Sequence, residues 1–310
     1  MLSRYRARAV AVAVGLALLV GGCSTSSAFG LGDPGGRIFA VGAENEYANV
    51  IQQVGGKYVQ VSAILSNPNT DPHTFEASAA VGRLLNQAQL VVQNGVGYDR
   101  FMNTIEDAVP SSSRKLIVVQ NLLGLPDSTP NPHLWYRPGT MPAVANAIAA
   151  DLAAIQPAHT AYFKANAAAF DRSLTAWNDA IAAFKARYPG TPVATTEPVA
   201  DYLLQAAGAD NLTPWAFQAD IMNGTDPSAQ DVAVERSLFT QHKVKVLLYN
   251  QQVTDSLTES FISLARANGI PVVGVYETMP EPGYHYQSWM LAEIRDLQRA
   301  VADKTSSEHL

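Results

Sequence analysis

Cysteine is all but absent: a single residue, Cys23, in 310. No intrachain disulfide is available, and a chain of this size must hold together through its core. Any metal site must likewise be built from histidine and carboxylate, without thiolate. Charge is also sparse. Charged residues make up 15% of the chain, with 21 Lys+Arg against 27 Asp+Glu and a net charge of −6. No basic run occurs, which excludes the electrostatic footprint of a nucleic-acid binder. H-E-x-x-H, a nucleophile elbow and a phosphate-cradling glycine loop are all missing, so the familiar hydrolase and nucleotide chemistries have no carrier. What is present, at 47% hydrophobic, is enough apolar residue for one large core or two ordinary ones.

The first apolar stretch, residues 9–20, follows Arg4, Arg6 and Arg8 and is too short to span a bilayer comfortably. It runs into Leu19-Val20-Gly21-Gly22-Cys23, which has the pattern of a bacterial lipobox, where cleavage precedes a cysteine that becomes diacylated. The competing reading is a short membrane anchor with an incidental cysteine; the polar residues that follow favour the lipobox. Residues 1–22 are expected to be a lipoprotein signal peptide, Cys23 the lipidation site, and residues 23–36, rich in Ser and Gly, a flexible tether. Such a protein is exported and held by lipid at the outer face of the bacterial cytoplasmic membrane, on the periplasmic side or the cell surface.

Beyond the tether, short β-branched runs alternate with amphipathic segments. Strands are expected at residues 38–43, 58–65, 89–93 and 115–119, with helices at 45–54, 78–88 and 98–108. Residues 142–155 read as a helix, and after Pro157 a longer one is expected to run to about Arg187. Its stripe of Phe163, Ala167, Phe170, Leu174, Trp177, Ile181 and Phe184 keeps one face apolar over the whole length. About 30 residues at 1.5 Å rise make a rod of roughly 45 Å, longer than one α/β lobe needs. A single domain with a long packed helix has the same periodicity, but the mid-chain position favours a spine between two lobes. Strands then resume at 192–196, 244–249 and 271–276, with helices at 199–207, 229–242, 256–268 and 287–301. The expected fold is α/β, with parallel sheets flanked by helices. It comprises an N-terminal lobe over 37–156, a long rigid linking helix over 157–188, a C-terminal lobe over 189–303 and a polar tail over 304–310.

One motif occurs twice. Asp71-Pro72-His73-Thr74-Phe75-Glu76 is met again, 60 residues on, as Asn131-Pro132-His133-Leu134-Trp135. Proline fixes φ and biases the preceding residue toward extended backbone, so each histidine sits on a stiff loop. A single Pro-His pair is more often an ordinary surface histidine than a ligand; the repetition points to a metal. Open α/β sheets bind ligands beyond the carboxyl ends of their strands. That rule singles out Glu197, after the strand at 192–196, and Glu277, after the strand at 271–276. With His73 and His133 on loops of the other lobe, the four meet only across an interlobe cleft. Two imidazoles and two carboxylates suit a divalent first-row metal and bring it near neutrality. Glu197 also reads as an acid at a helix start, worth about 0.3–1 kcal/mol through the dipole, and Glu277 as a solvent-facing loop acid. Asp71, Glu76 and Asn131 are expected to support the histidines, and Trp135 and Phe75 to pack beneath their loops. Glu44, past the first strand, and His285, in Gly283-Tyr284-His285-Tyr286, are alternative ligands.

The set DPHTFE, NPHLW, TTEPVADYLLQAAG and VGVYETMP, with a long helix after the second motif, resembles the substrate-binding lipoproteins of zinc and manganese ABC importers. These are the cluster A-I binding proteins, some long called adhesin lipoproteins. The resemblance runs from about Arg37 to Val301. It implies two α/β lobes, a rigid linking helix, one metal held between the lobes as cargo, and handover to an ABC permease powered by an ATPase. It places His73 and His133 as the N-lobe ligands and Glu197 as the third, which is histidine in many zinc binders and glutamate in manganese binders. Glu277 falls on the fourth, usually aspartate, and Asn131 also stands where aspartate is common. The His-rich acidic loop of many zinc importers is missing here, and the two carboxylates lean toward Mn²⁺, yet zinc outcompetes manganese for such a site by raw affinity. The cargo is Zn²⁺ or Mn²⁺, with Fe²⁺ left open. The expected protein is a monomeric carrier and not an enzyme, because four protein ligands leave no open position for a reactive water. Its rivals are a metal-dependent adhesin or interaction module and, with less in the sequence behind it, a metallohydrolase using one glutamate as general base.

Overall fold

Runs such as Ile38-Phe39-Ala40-Val41 offer apolar side chains to both faces, which suits a parallel strand covered by helices on each side. The computed structural model describes residues 36–67, 75–280 and 282–310. It turns these runs into β1 (Ile38–Glu44), β2 (Val59–Leu65), β3 (Leu90–Gln93) and β4 (Lys115–Val118), with α1 (Asn45–Gly55), α2 (Ala79–Gln87) and α3 (Arg100–Ala108) between them. All pairings are parallel, in the order β2-β1-β3-β4. The short α4 (Val119–Leu122) and then α5 (Thr140–Ile155) follow. Residues 1–35, with the expected signal peptide, Cys23 and all but the last residue of the tether, lie outside the described residues, as do Asp71 and His73. No helix among the described residues is long and apolar enough to cross a membrane.

The linking segment departs from the single helix expected. A 3-10 turn (Pro157–His159) leads into α6 (Thr160–Ser173), and α7 (Thr175–Arg187) begins after Leu174. Two hydroxyls flank that break. Ser173 Oγ donates to the Phe170 carbonyl at 2.6 Å and Thr175 Oγ1 to the Arg172 carbonyl at 2.8 Å. Leu174 N meanwhile bonds to Asp171 O at 3.3 Å, a tighter turn than the α-helix makes. Hydroxyls that bond back to the preceding turn compete with the helical ladder and bend it. The apolar stripe keeps its period through the break, and all seven of its residues are buried.

The second half repeats the plan of the first. β5 (Thr191–Thr195), β6 (Ala209–Asn211), β7 (Val246–Asn250) and β8 (Val272–Val275) form a parallel sheet in the order β6-β5-β7-β8. Around it lie α8 (Asp201–Ala207), α9 (Trp215–Met222), α10 (Ala229–Thr240), α11 (Ser256–Ala267) and the closing α12 (Tyr286–Asp303). β6 and α9 fall in a stretch where no element is expected from residue pattern. α6 packs on α1 and α5, and α7 on α8 and α12. The stripe therefore joins the apolar residues under both sheets into one core cluster, from Ile38 through Trp177 to Trp289.

The expected polar tail is a further strand-like segment. Ser307 bridges Val273 in parallel, donating its N–H to Val272 O and accepting the Gly274 N–H on its carbonyl, both at 2.9 Å. Arg266 pairs with Glu308 beside it. The free edge of β8 is thereby covered by the chain itself.

Candidate metal centre

β7 lies between β5 and β8, so their carboxyl ends bring three chain segments side by side. Glu197 stands two residues past β5, Asn250 ends β7, and Glu277 stands two residues past β8. All three are buried, Asn250 and Glu277 at 0% exposure. Asn250 links the acids: its Nδ2 donates to Glu197 Oε2 at 3.2 Å and to Glu277 Oε1. The amide cannot be turned over, because Asn250 Oδ1 accepts the Gln252 backbone N–H at 2.9 Å. Gln252 Oε1 in turn accepts the backbone N–H groups of Glu277 and Thr278, at 2.7 and 2.8 Å. The blander readings of both acids fail here. Helix α8 begins only at Asp201, beyond the reach of a cap at Glu197, and Glu277 faces no solvent.

The N-terminal lobe meets this group with His133, itself at 0% exposure. Asn131 orients the ring. Its Nδ2 donates to the Pro198 carbonyl at 2.7 Å, and its Oδ1 accepts the His133 backbone N–H at 3.0 Å. Those two backbone groups fix which end of the amide is oxygen. The same Oδ1 lies 2.8 Å from His133 Nδ1, so Nδ1 carries the proton. Nε2 is left with a lone pair, and it lies 3.5 Å from Glu277 Oε2, contributed by the other lobe. Tyr98 donates its hydroxyl to that Oε2 at 2.9 Å. Burial, then the charge of Glu277, holds the Tyr98 phenol well above its usual range, so it stays a donor. Trp135 is fully buried and sets its edge against both His133 and Tyr98, the packing role expected of it.

Three further acids lie under the N-lobe side. Glu44 ends β1, Glu46 lies in the first turn of α1 and Asp99 precedes α3, all 2% exposed or less. Burial first, then Asp99 and Glu46, pushes the Glu44 carboxyl well above the usual range. Glu46 is raised by burial and, across the lobes, by Glu277. Asp99 is raised by burial to about 6, moderated by N–H groups of Gly95 and Asn94. Among the described residues no hydrogen bond of ordinary geometry reaches the oxygens of Glu44 and Glu46, although nearby backbone groups moderate the rise of both. Glu44, the alternative ligand, has Asp99 and Glu46 as charged neighbours and also acts on Tyr98, the residue that donates to Glu277. His285 is misplaced: it is exposed, caps α12 opposite Ser288 and pairs with Asn49 at 3.2 Å. Glu76, expected to support His73, is exposed.

Among the described residues, then, His133 and Glu277 touch, Glu197 joins them through Asn250, and no three His, Cys, Asp or Glu side chains gather as a ligand set. His73 lies outside those residues. Sequence reasoning missed Asn250, Gln252 and Tyr98. Asn250 carried a usable signal, since the strand-end rule that selected the two glutamates applies equally to it.

A family model described as zinc-uptake complex component A, periplasmic (ZnuA), matches residues 41–300. The manganese-binding lipoprotein MntA of Bacillus subtilis (strain 168) is 23% identical over 159 residues, 49% of this chain and 51% of MntA. The match thus spans about half the length of that relative. Among solved structures, the periplasmic zinc-binding protein TroA from Treponema pallidum superposes with a TM-score of 0.70 at 17% identity, over 84% of this chain and 99% of TroA. The substrate-binding protein (SBP) FpvC of Pseudomonas aeruginosa, in complex with Mn²⁺, reaches 0.71 at 20% identity, over 86% and 99%. These likenesses carry the two-sheet fold. The span of the matching model carries more: this chain belongs to the zinc-uptake complex component A family of periplasmic proteins.

Proposed function

We propose that this protein captures a divalent transition metal outside the cytoplasm and delivers it to an ABC importer, with His73, His133, Glu197 and Glu277 as ligands. One contact carries the reading: His133 Nε2, its tautomer set by Asn131, faces Glu277 Oε2 at 3.5 Å with both side chains at 0% exposure. An imidazole lone pair aimed at a buried carboxylate is repulsive in a dry site unless a proton or a cation lies between them. A divalent metal satisfies both groups, and Glu197 is tethered to the same place by Asn250. His73 completes two imidazoles and two carboxylates, a set that suits a first-row metal as cargo. Zn²⁺ and Mn²⁺ are the candidates, supported by a family described for zinc uptake and a relative named for manganese binding. The lobes would be residues 37–156 and 189–303, linked by 157–188. That MntA is a lipoprotein supports anchoring through Cys23.

Elemental analysis of protein purified without added metal tests this. The wild type should carry about one equivalent, and His133→Ala and Glu277→Ala should each lose most of it. Unchanged metal content in both variants would discard the site.

A further inference from the structure

The turn after β3 holds a β-branched residue in the left-handed region. Of the described residues other than glycine, only Val96, His242 and Lys304 have positive φ, at 53°, 50° and 54°. His242 and Lys304 follow the last turns of α10 and α12, where such backbone is an ordinary helix ending. Val96 ends no helix. It lies just past β3, between Gly95 at φ 82° and Gly97 at φ 75°, and its branched side chain is strained there. The peptide plane between Gly95 and Val96 keeps it so. That plane's N–H donates to Gln120 Oε1 at 2.6 Å. Its carbonyl accepts from the Tyr98 N–H at 3.1 Å and from Asn94 Nδ2 at 3.0 Å. The two planes before it are fixed separately, because Asp99 accepts the Asn94 and Gly95 N–H groups at 2.6 and 2.9 Å. Turning the Gly95–Val96 plane over by about 180° takes φ of Val96 to about −127°, which is ordinary extended backbone. The matching change falls on ψ of Gly95, which has no Cβ to oppose it. A cleft of about 530 Å³, bordered by Gly95, Val96, Gly97 and Gln120, gives the plane room to turn. The flip relieves the strain and breaks three hydrogen bonds, and these opposing terms are of the same order.

We infer that the Gly95–Val96 peptide is a two-state switch, whose flip lets go of Tyr98 and, with it, of the Tyr98–Glu277 bond between the lobes. In the state seen here the Gly95 carbonyl anchors the Tyr98 N–H, and the Tyr98 hydroxyl reaches Glu277 Oε2 at 2.9 Å. Gln120 keeps the plane in that state. Its Nε2 is engaged by Asp127 Oδ1 at 2.7 Å and the Leu125 carbonyl at 3.3 Å, so its Oε1 must face the Val96 N–H. A flipped plane would set the Gly95 carbonyl against that same oxygen. Val96 pushes the other way, since only the flip gives it unstrained backbone. Two side chains thus have opposite leverage on one peptide, and the switch needs no cation to operate.

Amide hydrogen exchange on metal-free, full-length protein tests this, read at residues 96 and 98 against the amides of β3. Val96→Asn places a side chain that tolerates left-handed backbone and removes the strain. It should slow exchange at both amides by about fivefold or more. Gln120→Met keeps the side chain's length and removes the acceptor. It should speed exchange at both by about fivefold, the equilibrium worth of one net hydrogen bond. Tyr98 is 6% exposed in the state seen here, so its nitration by tetranitromethane should follow the same order, slowest in Val96→Asn and fastest in Gln120→Met. Referring the rates to β3 separates the switch from a general loss of stability. Variants that move exchange in the same direction, or leave the ratio to β3 unchanged, overturn the inference. If Gln120→Met does not fold, Val96→Asn decides alone: added protection at 96 and 98 with β3 unaltered supports the switch, and no added protection refutes it.

Discussion

Asn131 is gripped by two backbone groups of opposite polarity, the His133 N–H and the Pro198 carbonyl, and Pro198 belongs to the other lobe's loop. One amide therefore sets the imidazole tautomer and ties the lobes together beside Glu197. Removing it should cost more than a hydrogen bond. In Asn131→Ala, His133 Nδ1 loses the acceptor that keeps its proton there, and the ring is free to present N–H in place of the lone pair. Metal affinity should fall by about 10–100-fold, the usual cost of losing an outer-shell partner. A competition titration against a chromophoric chelator would measure it, and an affinity within twofold of wild type would show that Asn131 does not set the ring. The sequence could show that Asn131 mirrors Asp71 in the repeated motif, because that rests on two lines of text. It could not show Tyr98, whose hydroxyl reaches Glu277 from 179 positions away and follows a glycine-rich turn with no periodic signal.

At the scale of elements, the tail is the clearest device. Ser307 exchanges two backbone bonds with β8, Ser306 Oγ accepts the Val272 N–H at 3.0 Å, and Glu308 reaches Gln251 and Arg266. Two net backbone bonds contribute roughly 1–3 kcal/mol. Deleting residues 304–310 should therefore lower the melting temperature by a few degrees and, by exposing the edge of β8, promote self-association visible on size exclusion. Gly274 offers an independent lever. A Cβ there would meet the Glu308 carbonyl oxygen and Gln251, so Gly274→Val should release the tail, with faster hydrogen exchange over 304–310. A truncated protein that melts and elutes like the wild type would remove the tail from the fold's stability. Why this strand was illegible is physical: it pairs through main chain at an edge, so Lys304-Thr305-Ser306-Ser307 needs no apolar alternation. β1, β3, β7 and β8 were legible for the opposite reason, since burial on both faces demands largely apolar runs. The break at Leu174 hid because the apolar stripe runs through it without losing phase.

For the molecule as a whole, one core cluster runs from the first sheet through α6 and α7 to α12, so the two lobes share packed interior. Several buried acids also have carboxyls that burial raises above the usual range. Glu293, which accepts from Trp289 Nε1 and the Tyr136 hydroxyl, is raised by burial to about 8. Glu235 is raised by burial to about 8 and Asp99 to about 6. In each case the folded state holds a proton that the unfolded chain has already lost above its ordinary carboxyl range. Over that window the native state binds more protons, and stability falls as pH rises. The metal-free protein should accordingly be most stable near pH 5 and lose stability progressively to about pH 8. Metal binding has the opposite slope, because the imidazoles must be deprotonated to ligate. Thermal melts at pH 5.5 and 8.5, with chelator and with added Zn²⁺, separate the two. The chelated form should melt higher at pH 5.5, and the increment from Zn²⁺ should be larger at pH 8.5. Glu293→Gln, a neutral side chain of the same size, should flatten the chelated slope between pH 6 and 8 and leave the Zn²⁺ increment alone. A chelated form that melts higher at pH 8.5 would show that the folded protein does not hold these protons above the ordinary carboxyl range. A Zn²⁺ increment that does not grow with pH would deny histidine its place at the metal.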